Sequence, residues 1–262
     1  MSYRWLMLLA APLLFVPSGS ADPLKAVHQQ GALHAFLVVR DEAGKIIGTG
    51  DELNIRSGKV WKARLTLRFK DGSVDDETAV YMQHTTLRLV SDHHVQKGPS
   101  FPKPMDMTID MTKKSVMWHE VKDGKDEVRT DSVDLPADLC NGLLPIIMQN
   151  MPRGTTELKM GFIAATPKPR LVKLAIRPDG QDRFTIGGGG REAAKYRVHV
   201  ELGGIAGVVA PIIGKEPPDL YFWVVEDAVP TFLRLNGFLY QGGPIWSIDL
   251  SSPTWPAGPA AR

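Results

Sequence analysis

Over residues 59–69 the chain reads KVWKARLTLRF, which sets Trp61, Ala63, Leu65, Leu67 and Phe69 on one side of a two-residue period and Lys62, Arg64, Thr66 and Arg68 on the other. Alternation over that length predicts a β-strand with one dry and one wet face. KDGS follows as a turn signal, and residues 78–84 then supply a returning partner. The same period recurs in MDMTIDM (Met105, Met107, Ile109 and Met111 against Asp106, Thr108 and Asp110), in ELKMGF (Leu158, Met160, Phe162), in LVKLAI (Val172, Leu174, Ile176) and in YRVHVEL (Tyr196, Val198, Val200, Leu202). One-sided alternation belongs to antiparallel sheets with a solvated face. Asp-Gly pairs at 71–72, 123–124 and 179–180 lie between strand-like runs and suit short antiparallel connections. The predicted fold is therefore all-β and predominantly antiparallel, a meander.

One segment breaks the pattern. In DLPADLCNGLLPIIMQNMP, residues 134–152, Leu139, Leu143, Ile146, Ile147 and Met151 recur at three- and four-residue steps, which predicts one short apolar helical insert. Pro145 is expected to kink or split it, since proline removes a donor and crowds the preceding turn.

The densest group of reactive side chains is SDHHVQKGPSFPKPMDM, residues 91–107, with Asp92, His93, His94, Lys97 and Asp106. In a regular strand over residues 86–96, Leu87, Leu89, Ser91, His93 and Val95 share one face, and Arg88, Val90, Asp92, His94 and Gln96 share the other. Regular alternation thus turns His93 toward the apolar side and His94 toward water. On opposite faces the two do not close around a single ion. Pro99, Pro102 and Pro104 then stiffen an extended loop.

The first 21 residues place Arg4 ahead of an apolar run that ends in Gly19, Ser20 and Ala21, the layout of a cleaved secretory signal, and Pro12 and Pro17 interrupt a run already too short to anchor. The expected organisation is a signal peptide at 1–21, a single β-rich domain at 22–252 and a flexible tail at 253–262. Cys140 is the only cysteine, which forbids an internal disulfide and points to a bacterial exported protein, expected in the periplasm. The chain carries 31 basic and 29 acidic side chains, interspersed, so it offers no footprint for nucleic acid. No segment after the leader is long and apolar enough to span a membrane as a helix.

Catalytic motifs are sparse. No G-x-S-x-G, H-E-x-x-H or C-x-x-C occurs, and His119-Glu120 begins a zinc motif that fails at Asp123. The glycines at 187–190 precede a strand rather than a helix and read as a hairpin turn, while IIGKE at 212–216 lacks the Ser/Thr and glycine spacing of a phosphate loop. Cys140 reads as a small buried hydrophobe. Neither a cofactor nor a metal is expected. The features that remain are methionines on strand faces and GGIAGVVAPIIG, residues 203–214, an uncharged loop. They nominate His93, Lys97, Met105, Met107, Met111, Ile205, Val208, Val209 and Ile212 as contacts for a ligand.

The leader, the long meander with signals such as LRFKDGSVDDE, the apolar helical insert and the late GGIAGVVAPIIGKEPPD corner together resemble uncharacterised bacterial exported proteins whose β-rich domains are similar to the half-barrels of the LolA/LolB lipoprotein carriers. The resemblance implies a large curved sheet or half-barrel whose concave face holds something apolar, and it carries over no functional residue. The resulting expectation is a non-enzymatic exported protein that binds a lipid or other apolar small molecule, or an envelope protein. The alternatives are a metal-dependent or hydrolytic enzyme centred on Asp92, His93, Lys97 and Asp106, and a structural module that assembles through a sheet edge.

Overall fold

The computed structural model describes residues 23–122, 125–165, 169–186, 189–201, 217–227 and 229–251. The expected leader at 1–21, the Asp123-Gly124 turn, the loop residues Ile205, Val208, Val209 and Ile212 and the tail at 253–262 lie outside the described residues. Eight strands come first: β1 Leu33–Arg40, β2 Ile46–Ser57, β3 Val60–Phe69, β4 Val74–Gln83, β5 Leu87–Lys97, β6 Met105–Asp110, β7 Ser115–Lys122 and β8 Lys125–Ser132. A short helix, α1 Leu144–Gln149, separates them from β9 Leu158–Ala164, β10 Arg170–Ile186, β11 Gly189–Glu201, β12 Leu220–Val225, β13 Thr231–Gly237 and β14 Trp246–Leu250.

Among the described residues all fourteen strands belong to one antiparallel sheet in the order β8-β7-β6-β5-β4-β3-β2-β1-β14-β13-β12-β11-β10-β9. Two meanders are joined where the first strand meets the last, through pairs such as Leu37↔Leu250 and Val39↔Ile248. The sheet is not closed into a barrel. Its two ends, β8 and β9, are consecutive in sequence, so residues 133–157 must cross from one edge to the other. The all-β, antiparallel, curved-sheet expectation with one helical insert is what the structure shows.

Alternation in β3 works as read at all but one position: Leu67 and Phe69 are buried, Ala63 and Leu65 pack against the core, and Lys62, Arg64 and Arg68 are exposed, but Thr66, expected on the wet face, is buried. The crossover fills the concave side, contributing Leu135, Leu139, Cys140, Leu143, Ile146, Ile147 and Met148 to the same core as Leu37, Leu67, Ile109, Phe222 and Ile248. One end is closed by an aromatic group in which Phe101, from the proline loop, meets Phe69 at 5.5 Å and Tyr240 at 5.7 Å between ring centroids.

Two local expectations are corrected. Pro145 neither kinks nor splits the helix but opens it at the first turn, where its missing N–H costs nothing. The three-residue periodicity upstream of it belongs to turns that still bury Leu139 and Leu143. Six residues are too few to hold a helix by propensity, so packing holds it, with Asn150 ending it by donating from Nδ2 to Ile146 O at 2.9 Å. The second correction is at Asp179-Gly180, which is a bulge inside one continuous strand and not a hairpin turn: the register moves from Pro178↔Tyr196 to Gln181↔Ala194, leaving two residues opposite Lys195. Gly180 at φ +93 supplies the backbone that this bulge requires. The chain reverses later, where Ile186 pairs with Gly189, as the glycine-rich turn suggested.

Leu67→Asp should destabilise the domain by several kcal/mol, because it buries a charge without a partner, whereas Lys62→Asp should change stability by about half a kcal/mol or less. Chemical denaturation of both variants checks the face assignment; equal midpoints would refute it.

Candidate functional site

The histidine pair is turned opposite to the regular-strand expectation. Between β4 and β5 the register slips from Tyr81↔Leu89 to Val80↔Ser91, so Val90 has no partner and side-chain parity reverses past it. Leu87 and Leu89 point inward before the bulge; after it Asp92, His94 and Gln96 do. His93 is 52% exposed and His94 17%. The expectation that placed His93 with the apolar set and His94 in water fails for this one inserted residue.

The inward turn builds a charged group inside the sheet. In cross-strand register the inner row reads Glu52, Leu65, Glu77, His94, Met107, with Asp75 beside Gln96 and Asp92 between Ala79 and Ile109. His94 Nε2 meets Asp75 Oδ1 at 2.5 Å, and Nδ1 lies 3.6 Å from Glu77 Oε1. Asp92 is fully buried, and neither of its carboxyl oxygens has a hydrogen-bond partner. The crossover lies directly on it: Gly142 holds φ +66, and a Cβ there would stand 2.7 Å from both Asp92 Oδ1 and Ala79 Cβ. Only glycine fits that approach.

Burial would depress His94, but the carboxylates of Glu77 and Asp75 outweigh it and hold the imidazolium up to about 10. Burial raises Asp92 well above the usual carboxylate range, and the neighbouring Glu77 adds to this, against the pull of His94. Glu77 is also raised by burial, against the pull of His94 and a hydrogen bond from Gly142. Glu52, one strand beyond Leu65, is pushed up to about 7 by burial. Between α1 and the sheet lies a cavity of about 50 Å³ lined mainly by apolar side chains, among them Leu37, Leu65, Ile146, Phe232 and Ile248, with Glu52 and Glu77 at its wall.

Outside the sheet, His93 Nε2 meets Asp106 Oδ1 at 2.9 Å, Asp106 Oδ2 meets His119 Nδ1 at 3.2 Å, and His119 Nε2 meets Asp126 Oδ1 at 3.1 Å. Of the residues nominated for an enzyme, His93 and Asp106 are thus neighbours on the outer face, Asp92 is buried on the opposite face, and Lys97 sits exposed at the end of β5. The structure does not bring the four together. Among the described residues, no group of three or more His, Cys, Asp or Glu side chains is arranged to hold a metal ion. Of the nominated ligand contacts, Met105 and Met107 are buried in the core and Met111 packs against it. Cys140 is also fully buried and donates from Sγ to Gly161 O, matching its reading as a small hydrophobe. Sequence reasoning missed the roles of Glu77, Gly142 and His94, because each depends on a contact or bulge that residue type does not announce.

No family model matches the chain, and no curated protein matches it. Among solved structures it is similar to the crystal structure of a beta-barrel-like protein of a domain of unknown function, DUF1849, from Brucella abortus, with a TM-score of 0.44 and 10% identity over 84% of this chain and 97% of that one.

His94→Ala leaves the carboxylates of Asp75 and Glu77 buried without their cation and should cost roughly 3 kcal/mol, whereas His93→Ala on the outer face should cost about half a kcal/mol or less. The pH dependence has a definite sign. His94 is raised from 6.5 to about 10, so the stability it contributes is full below about pH 6.5 and is lost as the pH rises toward 10. Asp92 and Glu77, raised carboxyls, act in the same direction by retaining protons that the unfolded chain has released. The melting temperature should therefore fall by several degrees between about pH 6 and about pH 9, and His94→Gln should flatten that slope. Thermal melts across the range check both; a flat wild-type profile would contradict the assignment.

Proposed function

We propose that this is an exported periplasmic protein of the bacterial envelope that binds an apolar ligand, or an apolar segment of an envelope partner, on the concave face of its sheet. The observation that carries the reading is the apolar cavity trapped between α1 and the sheet. Its walls come from two sources, strands β1 to β4, β13 and β14 on one side and the crossover on the other, so the boundary between them is a packing contact and not a covalent shell. At about 50 Å³ the cavity is far below the roughly 300–1,000 Å³ of ordinary ligand sites. A lipid-sized occupant therefore requires the crossover to give up its place, replacing Leu143, Ile146 and Ile147 with ligand surface of the same character. The leader and the single cysteine support export. The resemblance to half-barrel lipoprotein carriers supports the same use of the concave face. Among the described residues no helix is long and apolar enough to cross a membrane.

Native mass spectrometry of the protein purified from a periplasmic fraction tests the proposal. The expected result is a chain beginning near Asp22 that carries an additional mass removable by organic extraction. A chain retaining Met1, or one found only at its bare mass in every preparation, would overturn it.

A further inference from the structure

The crossover is fastened differently on its two flanks. Against β9 it behaves as an extra strand: Leu139 forms a parallel bridge to Gly161, and Cys140 N donates to Gly161 O at 3.0 Å. Asn141 exchanges two hydrogen bonds with Ile163, from Nδ2 at 3.0 Å and to Oδ1 at 2.9 Å. Lys173 on β10 reinforces that flank through Asp138 at 3.1 Å. Over β4 and β5 the fastening is a different kind of contact. Gly142 lies against the Glu77 carboxyl and on the unpartnered carboxyl of Asp92.

We propose that residues 142–149 form a lid over the concave face, hinged on β9 through residues 138–141, and that the lid is shut while Asp92 carries a proton and is released when Asp92 loses it. The inference rests on the reading of the concave face as a ligand site and names its regulation. As a neutral acid, Asp92 tolerates a site with no water. As a carboxylate it is a charge without a single hydrogen bond, beside the carboxyl groups of Glu77 and Asp75, and among the described residues around it His94 is the cation that offsets it. Gly142 is the residue that lies directly on this carboxyl.

The groups facing this point come from every element around it. β4 brings Asp75 and Glu77, and β5 brings Asp92 and His94. β2 brings Glu52 across Leu65. The crossover brings Cys140, which burial keeps as a thiol, and Asp138, which is paired with Lys173 on the hinge side. Glu52, pushed up to about 7 by burial, adds negative charge at the wall of the neighbouring cavity when it loses its proton. His94 remains a cation to about 10, so it limits the opening without preventing it.

Amide hydrogen exchange of the exported chain, corrected for the intrinsic effect of pH, reads the lid without any ligand. Protection of residues 142–149 should fall at least about tenfold between about pH 6 and about pH 9, while β1 to β3 keep theirs. Asp92→Asn, which carries the neutral form at every pH, should abolish the fall. Gly142→Ala, whose Cβ cannot sit on Asp92, should leave the lid unprotected even at the lower pH. Protection that does not change with pH in the wild type, or that falls equally in Asp92→Asn, overturns the lid. Uptake of the neutral apolar dye N-phenylnaphthylamine, followed by fluorescence in the same samples, separates this from the functional reading. Uptake that rises with the loss of protection supports both. Loss of protection without uptake keeps the lid and overturns the apolar site, and uptake without any change in protection does the reverse.

Discussion

An antiparallel sheet of fourteen strands that does not close presents a concave apolar face that must be kept from water, and the rest of the structure follows from how that face is covered. Because β8 and β9 are the two ends of the sheet and are also neighbours in sequence, the chain between them crosses the opening and can lie inside it. Leu139, Leu143, Ile146, Ile147 and Met148 then meet the inward rows of the strands, and both sides lose apolar surface together. The helix is a consequence of this arrangement. With six residues and no side-chain cap at its start, α1 has no means of standing without the sheet beneath it.

The same covering segment decides the electrostatics of the interior. Asp75, Glu77, Asp92 and His94 would be an ordinary row of polar side chains on an open sheet; beneath the crossover they become a buried group in which the carboxyls hold the His94 imidazolium up and burial raises Asp92 well above the usual carboxylate range. Charged pairs on the outer face have no comparable leverage. Arg64 with Asp76 and Arg68 with Asp51 are exposed, and water screens what they contribute. The two faces of β4 and β5 thus carry the same residue types with different consequences, and depth below the crossover is the difference.

The second meander solves burial in another way. Trp223, Val225 and Leu233 are buried in a small cluster of their own, with Phe184 against it and Trp223 Nε1 donating to Asp182 at 2.8 Å. Phe184 and Asp182 come from the long strand β10 beyond its bulge, so the bulge at Asp179-Gly180 carries the far end of the β10–β11 ribbon over the outer surface of β12 and β13. Lys195 over Tyr221 and Arg234 over Phe184 cap the cluster with cations.

Read alone, the sequence determined the class of fold and much of its wiring. Period-two alternation, Asp-Gly and glycine-rich turns and one apolar insert were enough for an antiparallel meander, because backbone pleat and side-chain burial are local in origin. The faces of β3 and β6 and the burial of Cys140 were legible for the same reason. The direction of His93 and His94 was not. A single extra residue at Val90 reverses every side chain after it, and whether a strand bulges depends on how it pairs with β4, not on its own letters. Asp179-Gly180 had the letters of a turn and became a bulge because β11 continued to pair past it. Only the tertiary structure placed Gly142 on Asp92, since those residues lie fifty positions apart in the chain and meet only when the crossover enters the sheet that its own neighbours leave open.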